Sequence, residues 1–238
     1  YAGGNPVSLI HLSEIMVICG VALGVFVVCA PKSTLITTVK LSMATLKGDG
    51  PTRDEIIDLL KMLYEIFLVG RRNGLIALDE HVSDPASSSI FSKYKSFMDH
   101  SDRTEFLVSN LRPLIDGKVK PEQLKSLMDE DLHTMEHEGE KPVHVLHVLA
   151  DSLPGIGICA AVLGIIITMG VIDQGAAMVG YKVSAALTGS FLGVWLAYGF
   201  VAPLGARVHA IHSNEMIYFK VMAKALSGFA NGLAPAMA

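Results

Sequence analysis

Apolar positions along this chain come in long blocks, separated by a stretch in which they recur at helical spacing. From Leu153 to Ile172 no residue is charged, and from Val183 to Leu204 none is either. Each block is about as long as a helix needs to cross the hydrocarbon core of a bilayer, where backbone groups must be satisfied internally. The residues between them, Asp173 to Lys182, leave room for a short turn only, so the pair is expected to form a transmembrane hairpin. A third block, Glu14 to Ala30, is slightly short for a span and is extended on paper by Leu9 to Leu12.

Small residues punctuate these blocks. Gly157, Ala160, Ala161 and Gly164 fall three to four apart, as do Ala185, Gly189 and Gly193, and Gly20 and Gly24 make a G-x-x-x-G pair. That spacing lets helices pack closely in lipid or against a partner's helix. Pro154 is expected to open the first helix of the hairpin, where a missing N–H does no harm. Pro203, near the end of the second, is expected to free a carbonyl and permit a kink.

Between Pro31 and Ala150 the pattern turns amphipathic. Thr34 to Leu46 has helical spacing, and Pro51-Thr52-Arg53-Asp54-Glu55 opens a helix whose stripe is Ile56, Leu59, Leu60, Leu63, Ile66 and Phe67. Gly70 and Gly74 are expected to bracket a break, and Ser83-Asp84-Pro85 and Asp116-Gly117 to be loops. Shorter helical pieces are expected over Ile90 to His100 and Glu105 to Leu114. A helix from Pro121 is expected to reach Glu138 before Gly139 and Pro142 interrupt it. After Pro203 the helical pattern resumes with Arg207, Lys220 and Lys224 on its wet side.

Composition fits this division: the 238 residues are 51% hydrophobic and 18% charged, with mean hydropathy +0.46. This is too apolar for an ordinary soluble domain and too charged for one wholly embedded in lipid. Of the 19 Lys and Arg residues, 15 lie between Pro31 and Ala150, which places that stretch in the cytoplasm. The expected fold is an all-α membrane protein. Residues 1–31 hold a periplasmic turn and a span, 32–150 a helical cytoplasmic domain, 151–205 the hairpin, and 206–238 a cytoplasmic C-terminal helix. Tyr1 in place of an initiating Met implies a native N-terminus further upstream. A net charge of −4 gives no reason to expect nucleic acid. Cys19, Cys29 and Cys159 are odd in number, lack C-x-x-C spacing, and read as reduced, buried small hydrophobes.

Candidate chemistry is sparse. His133, Glu136 and His137 spell H-x-x-E-H, a zinc-peptidase pattern, with His144 and His147 as a conceivable further pair. The surrounding Asp129, Glu130, Asp131, Glu138 and Glu140 make a solvated acidic helix the better account. Neither hairpin block contains a carboxylate, so ion handling would need a partner's acid. The hydroxyls of Ser184, Thr188 and Ser190 remain, with Asp151 and Ser152 at the cytoplasmic mouth; back-bonding to their own helix is the usual fate of such hydroxyls.

Four stretches, LVGRRNGLIALDEHVSDP, LMDEDLHTMEHEGE, DSLPGIGICAAVLG and LTGSFLGVWLAYGFVAPL, together resemble the flagellar stator A subunits of the MotA/TolQ/ExbB proton channel superfamily, across essentially the whole chain. The resemblance implies a multi-pass subunit of the bacterial inner membrane, an ion channel rather than an enzyme, with no cofactor. It implies a pentamer of this chain around a MotB-like B subunit that supplies the ion-binding aspartate, and a cytoplasmic contact with the rotor protein FliG. It places the rotor contact on Arg71 and Asp79, with Glu80 as a second candidate acid. The coupling prolines fall on Pro154 and Pro203, and the channel hydroxyl on Ser190 where the family usually has threonine. Ala161 stands where sodium-driven relatives carry a threonine and offers no side-chain oxygen to a bare sodium ion, which favours H+ as the transported ion. The resemblance also implies a first span before Tyr1 and a tail after Ala238. An ExbB/TolQ-like energiser of outer-membrane transport is the alternative within the superfamily.

Overall fold

A computed structural model describes residues 11–46, 48 and 50–238. The expected turn before His11 and the extension through Leu9 and Ile10 lie outside the described residues. Every regular element among those described is helical. Contacts divide the chain into two compact units, Tyr1–Lys47 with Gly139–Ala210, and Gly48–Glu138 with Ile211–Ala238. These units follow packing and are a different partition from membrane against cytoplasm. The helix following Pro31 and the residues from Gly139 to Ala150 cluster with the apolar helices.

The first unit contains α1 (Leu12–Val28), α2 (Lys32–Thr45), the later part of α7 (Pro121–Met169), α8 (Ala176–Leu196) and the start of α9 (Ala202–Ala230). α1 starts at Leu12 because His11 is extended, so its 17 residues cover about 25 Å at 1.5 Å per residue. α7, and the helical run from Ala176 to Ala230, are each long and apolar enough to cross a membrane. Ile158, Ile166, Leu187, Phe191 and Tyr198 all point outward from the unit, as helices surrounded by lipid or by other subunits require.

The hairpin turn is tighter than expected. α7 ends at Met169, a single 3₁₀ turn covers Ile172–Gln174, and Gly175 at φ +92° starts α8, so Lys182 lies within the helix. A side chain would be strained at that φ. Two expectations about α7 fail. Gly139 and Pro142 do not interrupt it, and Pro154 lies deep inside it rather than at its start. A proline removes one N–H and crowds the preceding turn, which bends a helix but does not end one whose flanking turns are packed. Val143 and Leu146, next to Pro142, pack on Val208, Leu41 and Leu204. The expected disturbance near Pro203 is a π turn over Ala197–Val201, closed by Ala202 N–H donating to the Ala197 carbonyl. The cysteines are free, but Cys19 and Cys159 are exposed and Cys29 half-buried, not buried.

The second unit packs α3 (Arg53–Asn73), α4 (Asp79–Ser83), α5 (Lys95–Met98) and α6 (Ser101–Ile115) with the start of α7 and the end of α9. A reciprocal Thr52–Glu55 capping box opens α3. Its buried stripe, Leu59, Met62, Leu63, Ile66 and Phe67, meets Leu107 and Leu111 of α6 and Met222 and Leu226 of α9. Gly70 is buried within α3, not at a break: a Cβ there would come within 2.7 Å of Phe229 Cζ. Gly74, at φ +87°, is where α3 stops.

Buried among these helices is Arg103, 1% exposed. It donates from Nε to Glu215 Oε1 (2.9 Å), from Nη2 to Glu215 Oε2 (3.2 Å) and from Nη1 to Glu55 Oε2 (2.7 Å). Its guanidinium lies 4.1 Å from the centre of the Tyr218 ring. Three helices that share no sequence proximity are joined through this one side chain.

Candidate ion pathway and rotor-contact surface

The α7–α8 crossing is built from residues too small to hold the backbones apart. A Cβ on Gly193 would lie 2.7 Å from the Leu153 carbonyl oxygen and 2.8 Å from Gly157 Cα. One on Gly157 would lie 2.9 Å from the Gly189 oxygen, and one on Gly164 would lie 2.7 Å from Ala186 Cβ. The expected small-residue seam is thus a close contact between residues 153–164 of α7 and 186–193 of α8.

Three of the four sequence-picked pathway residues sit on or beside this seam. Pro154 is half-buried one turn before Gly157 and has no N–H to offer the Ala150 carbonyl. Ala161 is buried, its nitrogen 3.7 Å from where a Gly189 Cβ would be. Ser190 is half-buried, with its Cα 3.3 Å from the position of a Gly157 Cβ. Pro203 is exposed beyond the π turn, ten residues past Gly193 at the closest crossing.

The hydroxyls divide by what they bond. Thr188 donates to the Ser184 carbonyl at 2.9 Å, Ser152 to Val148 at 2.7 Å and Thr168 to Gly164 at 2.8 Å, so these are spent on their own helices. Ser190 makes no such bond among the described residues, which leaves its hydroxyl available at the seam. No carboxylate lies on the α7 or α8 side of this contact. One does reach it from α1: the side chain of Glu14, 8% exposed, brings Oε2 within 3.2 Å of where a Gly189 Cβ would sit. Sequence reading left Glu14 as a mere flank of the first apolar block.

The residues matched to the rotor contact lie in the second unit. Arg71, in the last turn of α3, is exposed but engaged. Its Nη2 donates to the carbonyls of Phe229 (3.2 Å) and Leu233 (2.9 Å), and its guanidinium lies 5.4 Å from the Phe229 ring centre. It therefore caps the C-terminal end of α9, where the helix dipole favours a cation. Asp79 opens α4 and accepts from the Ser83 hydroxyl at 3.0 Å. Glu80 is exposed, as is Arg72, and neither makes an ion pair or side-chain hydrogen bond among the described residues. Arg71 is not paired with either acid. Arg72, passed over in the sequence, is the guanidinium free to meet a partner.

The H-x-x-E-H residues are not gathered into a ligand set among the described residues. His133 and His137 are exposed, Glu136 accepts from Lys220 Nζ at 3.2 Å, and no cluster of three His, Cys, Asp or Glu side chains with ligating geometry exists among the described residues.

Residues 99–221 match the family model described as the MotA/TolQ/ExbB proton channel family, and residues 1–74 match the model for the motility protein A N-terminal region. The chain is 32% identical over 236 residues to motility protein A of Escherichia coli (strain K12), covering 99% of this chain and 80% of that one. It is 31% identical over 229 residues to chemotaxis protein LafT of Vibrio parahaemolyticus, covering 96% of this chain and 80% of that one. Among solved structures it resembles a chain of C. jejuni MotAB, with TM-score 0.81, 23% identity, and coverage of 99% and 84%. A chain of the flagellar MotAB stator complex from Bacillus subtilis gives TM-score 0.79 at 22% identity, with the same coverage.

Proposed function

The chain belongs to the MotA/TolQ/ExbB proton channel family, and from that premise we propose that it is the A subunit of a flagellar stator, converting ion flow across the inner membrane into torque on the rotor. The observation that carries this reading is the α7–α8 seam. It brings two helices into backbone contact, leaves the Ser190 hydroxyl without a bond among the described residues, and has no acid in the apolar block of either helix. Such a seam suits a channel wall whose ion-binding aspartate arrives on the helix of a MotB-like B subunit. In this reading copies of the chain form a pentamer around the B subunits.

The transported ion is H+. A sodium ion must replace its water with oxygens, and Ala161 brings none to the seam. Protonation of the partner's acid changes its charge beside Pro154 and Ser190, where a proline-relaxed helix can change shape. Torque passes to the rotor protein FliG through the α3–α4 surface. There Asp79 and Glu80 supply exposed acids, Arg72 a free cation, and Arg71 both charge and the clasp that holds α9. Exposed ion pairs are individually weak, which suits a contact made and broken at every step.

The stator branch is favoured over an ExbB/TolQ-like energiser by the match of residues 1–74 to the motility protein A N-terminal model. Complementation separates the two. The full-length chain with its B subunit should restore swimming to a strain lacking its own stator. Rescue of outer-membrane transport in a strain lacking ExbB and TolQ, without rescue of swimming, would reverse the assignment.

A further inference from the structure

Neither apolar block of the hairpin carries an acid, yet the first unit packs one against them from α1. Glu14 is 8% exposed and His11, one turn earlier, is also 8% exposed, so the two share the face of α1 that packs inward with Ile18. The Glu14 carboxyl makes no hydrogen bond or ion pair among the described residues. His11 Nε2 is likewise buried without a partner there, its ring edge-on to Tyr181 with centroids 5.4 Å apart.

Their depth follows from their neighbours. Glu14 Oε2 reaches the space over Gly189, which lies about 20 Å along α8 from its start at Ala176. Ala160, which bounds the same space from α7, lies about 14 Å from the end of that helix at Met169. Against a hydrocarbon core about 30 Å thick, the carboxyl thus packs beside the inner parts of α7 and α8, although its backbone lies in the first turn of α1. Ionisable side chains at that depth are costly and are kept for ion pathways and proton relays.

The other groups facing this pair are few. From α8 there is Tyr181, against His11; Lys182, next in sequence, is half-buried and without an ion pair among the described residues. The packed face of α7 from Ala160 to Gly164 contributes no titratable group. The first-turn position of Glu14 adds the favourable end of the α1 dipole.

We propose that Glu14, with His11 beside it, is a proton-accepting site within the chain's own membrane helices, one helix face away from Ala161 and Ser190. A proton entering from the outer side adds to a Glu14 carboxylate oxygen, leaving a neutral carboxyl. Its departure to the partner's acid restores the carboxylate, with His11, one turn earlier on α1, as a further group able to pass a proton on. This role rests on the stator reading above.

The test uses the full-length chain with its B subunit in a bacterium lacking its own stator, comparing wild type, Glu14→Gln and Glu14→Asp. Membrane level, copurification with the B subunit and motor speed against external pH are measured together. Glu14→Gln keeps shape but not charge, and should cut speed severalfold at unchanged membrane level and copurification. Glu14→Asp should keep rotation with a displaced speed–pH profile. Wild-type speed and profile in Glu14→Gln would overturn the role. Loss of both variants from the membrane would make Glu14 a packing group. Should Glu14→Gln alone fail to accumulate, the Asp profile decides: displaced supports the site, superimposable overturns it. A wild-type chain that turns no motor brings down the stator reading and this site with it.

Discussion

Arg103 shows how much a single side chain can hold. It is buried, forked onto Glu215, bonded to Glu55 and stacked on Tyr218. Burial works against its charge, but the two carboxylates outweigh that and raise its pKa further. Replacing it with leucine strands two carboxylates and should cost about 3–5 kcal/mol, the usual result of removing one partner of a buried pair; thermal unfolding of the purified chain measures this. Burial also pushes the Glu55 carboxyl up, but bonds from Arg103 and from the Thr52 N–H more than offset it and leave its pKa lowered. A lowered carboxylate pKa contributes stability above the unfolded value and loses it as pH falls through the folded value. The melting temperature should therefore drop on acidification below the normal carboxylate range, and less steeply in Glu55→Gln. At the seam, Ser190→Ala removes a hydroxyl that is not spent on its own helix. Motor speed should fall with stator number per motor unchanged; equal speed would remove Ser190 from the pathway.

Helices are where sequence reading succeeded in kind and missed in extent. The apolar blocks, the capped start of α3 and the helical return after Pro203 are all present, because period and capping are local signals. Pro142 and Pro154 misled, since a proline reads as a boundary while packing on both sides carries α7 through it. The seam itself was legible from spacing: Gly157, Gly164, Gly189 and Gly193 do meet across the hairpin. It supports a paired test. Gly193→Ala puts a Cβ against backbone at 2.7 Å and should lower the amount of assembled stator. Gly180→Ala, with nothing within 4 Å, should leave it unchanged or slightly raised. Glu14 and the α9 clasp of Arg71 were not legible, because each depends on a helix distant in sequence.

At the scale of the molecule, two units differ in character. One is a close-packed set of apolar helices with an uncommitted hydroxyl and a buried acid; the other is a charged helical domain with exposed groups on α3 and α4. The charge distribution separated a charged stretch over 32–150 from the apolar blocks, a partition that the two packing units cut across. What no single stretch displayed is which side chains remain unbonded once the helices pack, and those are the ones an ion or a rotor can use.

The most direct measurement is swimming speed of a strain driven only by the full-length chain and its B subunit, across sodium concentrations at fixed proton-motive force, with Ala161→Thr alongside. Wild-type speed that restores motility and does not vary with sodium is the predicted result. Speed that climbs with sodium in the wild type would contradict proton coupling, and no motility at all would contradict the stator assignment.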